Sequence, residues 1–271
     1  MPECLVNGVR LHYEEHGQRQ EGRAPILCIH GMSSSGLVWG PSVAKVAALG
    51  RTIVYDRRGC TRSERPEPYT TSIAQQADDA AALLRALDAS PAVVIGRSYG
   101  GEVALALALR HPETVRALVL LEAGLVNLVP EAKAWADGVL ARVLAAAERE
   151  PSDAAKALVH EILGEGGWEK LPAPLQSMFT GNSPAVVAEM RGGFLEAEPE
   201  ELAKLGIPVL LVASAESPPA FRQVVAAMGA AIPNARTALV PGGHLIDLAE
   251  PAVLELVATA IQGTSTQAPN R

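Results

Sequence analysis

The sequence predicts an α/β fold: a mostly parallel, twisted sheet covered by helices on both faces. Three observations carry this expectation. Short apolar runs alternate with helix-prone stretches in a strand–helix rhythm. The runs at residues 24–29, 51–55, 92–95 and 117–121 are close to continuously apolar, as strands buried on both faces are. Finally, the run at 92–95 enters Gly96-Arg97-Ser98-Tyr99-Gly100-Gly101, which fits G-x-S-x-G, and continues into an Ala- and Leu-rich stretch at 102–110. Strand, sharp turn and helix form the context in which that pentapeptide presents a nucleophilic serine. Alone the motif is weak, because chance supplies one in roughly a tenth of chains this long.

Taken in order, residues 4–15 alternate apolar and polar around Asn7-Gly8 and predict a β-hairpin with a two-residue turn. The strand at 24–29 ends at His30-Gly31, and a polar loop at 32–40 leads to a short helix. The strand at 51–55 ends at Asp56-Arg57-Arg58-Gly59. Residues 70–87 have helical periodicity, with Thr71 or Ser72 as the N-cap. The helix after Ser98 stops at His111-Pro112, and the strand at 117–121 ends at Glu122-Ala123-Gly124. There the rhythm breaks. Residues 125–205 show no strand, but helical stretches at 131–149, 153–163 and 184–195. This segment holds Trp135, Trp168, Phe179 and Phe194 in a chain with only 4% aromatics, which suits a lid over an apolar pocket. The rhythm resumes with a strand at 207–212, a helix opened by Ser217 as N-cap and Pro218 as first residue, a strand at 237–240, Pro241-Gly242-Gly243-His244, and a helix at 249–261. The expected organisation is a core of residues 1–124 and 206–263, a helical lid at 125–205, and a polar tail at 264–271.

Bulk properties narrow the function classes. Hydrophobic residues make up 48% and charged residues 20%, the balance of a folded globular chain. The net charge is −7 and no basic patch stands out, so no nucleic-acid partner is expected. Met1-Pro2-Glu3-Cys4 lacks the pattern of a signal peptide, and the longest apolar stretch, 103–109, is too short to span a bilayer. Cys4, Cys28 and Cys60 form neither a disulfide framework nor a metal-spaced set. Buried free thiols, a cytoplasmic setting and no membrane partner are the expectation. Nothing in the chain calls for a cofactor or a metal, and oligomeric state is not legible.

In a parallel sheet, ligands bind at the carboxyl ends of the strands. His30-Gly31-Met32, Asp56, Ser98, Glu122, Glu216 and His244 all follow strands directly and converge on that edge. Ser98 needs a base within hydrogen-bond reach to act as a nucleophile. His244, late in the chain on a Gly-Gly loop, is the candidate base, whereas His30 is expected to brace its loop. The base needs a carboxylate behind it. Glu122 ends a dense apolar run, where a charge requires a partner; Glu216, before a helix start, is the alternative, and Asp247 a remote third. Backbone N–H groups of Tyr99 and Met32 are the candidate oxyanion donors. Gly31, Ser33, Trp135, Trp168 and Phe179 are candidate substrate contacts, with the run Ser33-Ser34-Ser35 expected as a solvated loop.

His30-Gly31, Asp56-Arg57-Arg58-Gly59, Gly96-Arg97-Ser98-Tyr99-Gly100-Gly101, 117–122 and Pro241-Gly242-Gly243-His244 together resemble the α/β-hydrolase fold family, in its order and spacing. The resemblance covers the chain to about residue 263. It implies about eight strands and a helical cap inserted after the sixth. Family members usually place the acid after the seventh strand, near Glu216, but Glu216-Ser217-Pro218-Pro219 departs from that pattern. A subset resembling zearalenone-type lactone hydrolases places a glutamate after the sixth strand, where Glu122 stands. Arg97 and Thr61 depart from the usual residues at their positions, and Arg97 is expected in a local ion pair. The resemblance implies a serine esterase or lactonase acting on a small, largely apolar substrate through an acyl-enzyme. An acyltransferase or carbon–carbon bond hydrolase with the same triad, and a silent small-molecule-binding member of the fold, are the rival readings.

Overall fold

The computed structural model describes residues 2–262. The expected tail lies outside the described residues. Strands β1 (Glu3–Val6) and β2 (Val9–His16) form the hairpin, with Asn7 and Gly8 both at positive φ, as a type I′ turn requires. Strands β3 (Ile26–Ile29), β4 (Thr52–Tyr55), β5 (Ala92–Arg97), β6 (Val115–Leu121), β7 (Val209–Ser214) and β8 (Ala235–Val240) follow. All eight form one sheet ordered β1-β2-β4-β3-β5-β6-β7-β8. The pairs β1–β2 and β2–β4 are antiparallel, and every other neighbouring pair is parallel. Strand order reverses at β3, which sits between β4 and β5, so the loops after β3 and β5 flank a crevice at the sheet's carboxyl edge.

Alternation along the strands sorts side chains into two layers. Leu27, Ile29, Val94, Leu118 and Leu120 face one side and pack on α2 (Ile73–Ala86), α3 (Tyr99–Arg110) and α9 (Pro219–Ala231). Cys28, Val93, Ile95, Val119 and Leu121 face the other side and pack on Trp39, on α1 (Val43–Ala47) and on α10 (Pro251–Ala260). Ser72 caps α2 by accepting the Gln75 N–H at 3.2 Å. Cys28 and Cys60 are buried and free, and Cys4 is half-buried.

Between β6 and β7, after a 3₁₀ turn at Val126–Leu128, lie five α-helices: α4 (Pro130–Arg149), α5 (Asp153–Leu163), α6 (Ala173–Gly181), α7 (Ser183–Gly192) and α8 (Pro199–Leu202). They have an apolar cluster of their own, centred on Val143, Leu158, Phe179, Val186 and Met190. Helices α6 and α8 were not expected from the sequence. The first mixes Pro, Gln, Ser and Thr with its apolar residues, and the second is a single turn. A second correction concerns α9: it begins at Pro219 behind Pro218, and Ser217 does not cap it. The Ser217 side chain turns inward instead.

Candidate active site

Ser98 sits where β5 becomes α3, at φ 54° and ψ −126°. A non-glycine residue in this region carries strain of about 1–3 kcal/mol and persists only where the surroundings hold it. Gly100 is part of that hold: a Cβ there would lie 2.3 Å from the His30 carbonyl oxygen, so the elbow packs this closely on β3 only with glycine.

Glu122 leaves β6 at φ 50° and is fully buried. Its Oε2 lies 2.7 Å from His244 Nδ1. A carboxylate only accepts, so Nδ1 carries the proton and Nε2 is left as the acceptor. The Ser214 N–H donates to Oε1 at 2.7 Å and the Ser217 hydroxyl to Oε2 at 2.7 Å. Burial alone would raise this carboxyl, but the bonds from His244, Ser214 and Ser217 outweigh it and hold it below the usual carboxylate range. The Phe221 ring lies against the imidazole, 4.4 Å between centroids and tilted 30°, and Trp135 meets Phe221 edge-on at 5.5 Å. Glu216 stands exposed on the turn after β7, where its N–H donates to the Gly242 carbonyl. Asp247 accepts the Ala249 N–H ahead of α10. The structure thus brings Glu122 to His244, and neither Glu216 nor Asp247. Ser98 and His244 line the same pocket. Among the described residues no hydrogen bond joins the Ser98 hydroxyl to the imidazole, a separation common in unliganded sites.

The turn after β3 is held from behind. The Arg57 N–H donates to His30 Nε2 at 2.9 Å, which leaves His30 Nδ1–H to donate to the Gly31 carbonyl at 2.8 Å. Arg57 Nη2 reaches the same carbonyl at 2.8 Å, and its Nε the His30 carbonyl at 2.9 Å. In a trans peptide the carbonyl and the next N–H point opposite ways. Fixing the Gly31 carbonyl therefore fixes the direction of the Met32 N–H. Burial, aided by the Arg57 charge, pushes His30 down to about 3, so it is a neutral brace.

Apolar side chains from both halves close the pocket. Met32, Val126, Trp135, Phe179, Phe194 and Phe221 are on its wall, as are Gly31 and Ser33. Three expectations are corrected here. Trp168 is not on the wall: it follows the Gly166-Gly167 turn beyond α5 and packs into the cluster shared by the inserted helices. The run Ser33-Ser34-Ser35 is buried rather than solvated, and the Ser33 hydroxyl donates to the Phe179 carbonyl at 3.1 Å, tying α6 to this loop. Arg97 forms no ion pair among the described residues. Its guanidinium lies over the Trp39 ring, 4.2 Å from the centroid, and burial lowers it to about 10.

The site roles of Ser214, Ser217 and Phe221 are not among those the sequence predicts, Ser217 being expected only as a helix cap. The one available signal was the missing acid after β7, where the chain supplies two serines. No helix of the described residues is long and apolar enough to cross a membrane, and no group of three or more His, Cys, Asp or Glu among them is placed to hold a metal ion.

Residues 24–163 match the family model of the alpha/beta hydrolase fold. The chain belongs to that family. It is 37% identical over 111 residues to "Putative carbamate hydrolase RutD" of Caulobacter vibrioides (strain NA1000 / CB15N), a match covering 41% of each chain. It is 35% identical over 122 residues to the 2-hydroxymuconate semialdehyde hydrolase of Pseudomonas sp. (strain CF600), covering 44% of this chain and 42% of that one. The matches thus span about two fifths of the curated relatives' length. Among solved structures, Est816, described as an N-acyl homoserine lactone degrading enzyme, superposes with a TM-score of 0.72 at 26% identity, covering 95% of this chain and 99% of that one.

Proposed function

We propose that the protein is a serine hydrolase that cleaves an ester or lactone of a small, largely apolar molecule through an acyl-enzyme. The observation that carries this reading is the buried Glu122–His244 pair at 2.7 Å, opening onto the same apolar pocket as the strained Ser98 elbow. In this mechanism Ser98 Oγ attacks the carbonyl carbon while His244 Nε2 takes the hydroxyl proton. Glu122 orients the imidazole and stabilises its charged form. The N–H groups of Tyr99 and Met32 receive the oxyanion; neither has an acceptor among the described residues, and the first heads helix α3. Collapse of the tetrahedral species breaks the bond to the alkoxy oxygen, which takes the proton from His244 and leaves as an alcohol. In a lactone that alcohol stays attached to the acyl group. Water, deprotonated by His244, then attacks the acyl-enzyme and releases the acid with Ser98 restored.

Residues 125–205 act as the lid of the pocket, over a core formed by 1–124 and 206–263. The partner is the small-molecule substrate, and the setting is cytoplasmic. The carbamate-hydrolase relative favours a second reading, in which the same residues attack a carbamate carbonyl. A panel of alkyl esters, lactones, carbamates and β-diketones separates these readings by kcat/KM. Ser98→Ala is expected to abolish both turnover and fluorophosphonate labelling, and labelling that survives in Ser98→Ala overturns Ser98 as nucleophile.

A further inference from the structure

One buried ionisable group on the pocket wall has no part in that mechanism. Glu102 lies one turn beyond Ser98 on α3 and is 2% exposed. It is the single carboxyl among the described residues lining the pocket. Its two oxygens differ. Oε2 accepts the Leu195 N–H at 2.8 Å, from the chain that follows α7. Oε1 has no hydrogen-bond partner among the described residues. It lies where a Cβ on Gly124 would come within 2.8 Å, so the bare glycine leaves room for this oxygen.

The surroundings of Glu102 decide its protonation. No cation bonds to it, and apolar side chains such as Val126, Trp135 and Phe194 make up most of the pocket it lines. Burial lifts the carboxyl to about 8 against the Leu195 N–H bond, which favours the ionised form; Glu189 on α7 adds to the lift, and Arg57 after β4 opposes it least. His244 after β8, Arg97 at the end of β5 and Tyr99 on α3 are the other titratable groups lining the pocket. With Oε2 engaged as an acceptor, the proton of the neutral acid belongs on Oε1. The pocket therefore offers, besides the hydroxyls of Ser98, Ser33, Ser34 and Tyr99, a carboxylic acid O–H one helical turn beyond the nucleophile.

We propose that Glu102 is a specificity-determining residue whose Oε1–H donates to an uncharged oxygen, a carbonyl or an ether, that the substrate carries apart from its reacting carbonyl. The inference rests on the serine-hydrolase reading and narrows the substrate class to esters or lactones with a second oxygen acceptor in the pocket-bound part. A purely structural carboxyl tying down Leu195 would confer no preference among substrates by oxygen position.

The test is an oxygen walk. Phenyl octanoate is compared with analogues in which each chain carbon from the fourth to the seventh in turn is replaced by an ether oxygen, far enough from the reacting carbonyl to leave its electronics unchanged. In the wild type one analogue is expected to exceed its carbon parent in kcat/KM by about tenfold, the worth of one net hydrogen bond. Glu102→Leu loses that preference, and Glu102→Gln, whose amide N–H also donates, keeps it. In the wild type the preference fades as pH rises through about 8 and the acid ionises, whereas in Glu102→Gln it does not change with pH. That comparison serves even where Glu102→Leu fails to fold. Calorimetric binding of the same esters to Ser98→Ala, with glutamate and then with glutamine or leucine at position 102, reads the contact without turnover. Oxygen-dependent binding without any wild-type hydrolysis sinks the serine-hydrolase reading and leaves this contact standing. Absence of an oxygen preference in both assays, or a preference that survives in Glu102→Leu, overturns it.

Discussion

His244 Nδ1, the Ser214 N–H and the Ser217 hydroxyl converge on the Glu122 carboxylate at 2.7 Å each. A neutral amide in its place presents an N–H toward one of these donors and no longer stabilises a charged imidazole. Glu122→Gln is therefore expected to lower kcat by about 10⁴-fold, the scale found for the equivalent change in serine proteases. Glu216→Gln, on the exposed turn, should stay within about twofold. Ser217→Ala removes one charge-assisted bond and should cost about tenfold. Rates compared at equal folded fraction decide the matter, and a large loss confined to Glu216→Gln reverses the assignment. The pairing of Glu122 with His244 was readable in the sequence because an acid that ends a dense apolar run requires a partner. The two serines were not readable. Ser217-Pro218 is also a good helix start, and only the position of the β7 end relative to β6 turns that hydroxyl inward. Arg97 carries the same lesson: its partner is a ring, Trp39, which no charge pattern reveals.

At the scale of elements, α7 is fastened to the sheet edge by two buried contacts. Asn182, just before it, donates to the Ser34 carbonyl at 2.9 Å and accepts the Thr61 N–H at 2.7 Å. Glu189 on α7 meets Arg57 at 2.5 Å, and both are fully buried. Because Arg57 also holds the Gly31 carbonyl, this pair links the inserted helices to the turn that carries the Met32 N–H. Removing one member of a buried pair strands the other charge, at a cost of about 3–5 kcal/mol, whereas an apolar pair of similar volume is close to neutral. Arg57→Met is thus expected to lower the urea midpoint sharply, and adding Glu189→Leu to recover most of the loss. Both variants should lower kcat more than they raise KM, because the turn behind Met32 loses two of its donors. A double variant no more stable than Arg57→Met would refute this. The strands were legible as short apolar runs with turns after them. Helix α6 was not, since its apolar residues meet partners on α5 and α7 that lie outside any local window.

At the scale of the molecule, convergence on one sheet edge followed from the parallel direction of the strands, which the strand–helix rhythm implies; the strand order itself was not legible. Nor was the pocket wall, because it depends on how the inserted helices pack on one another. Burial of opposite kinds of group at that edge sets the dependence of stability on pH. His30 is held neutral, near 3 against 6.5 in an unfolded chain. Below 6.5 the unfolded chain takes up a proton that the folded one refuses. This contribution is complete above about 6.5 and is lost as pH falls toward 3. Asp56 and Glu122, both held low, add to the acid-side loss. Glu102 runs the other way. Its carboxyl is near 8 when folded and 4.5 when unfolded, so its contribution is complete below 4.5 and is lost as pH rises toward 8. Glu189, also raised, acts in the same sense. Between about 4.5 and 6.5 the slopes of His30 and Glu102 oppose each other, which predicts a plateau there with losses on both sides. Shifts of this size bound each limb at about 5 kcal/mol. Glu102→Gln, which cannot ionise, should make the alkaline limb shallower and leave the acid limb in place. Urea unfolding across the range measures both limbs, and an alkaline limb of unchanged slope in Glu102→Gln would show that Glu102 is ionised in the folded protein at neutral pH.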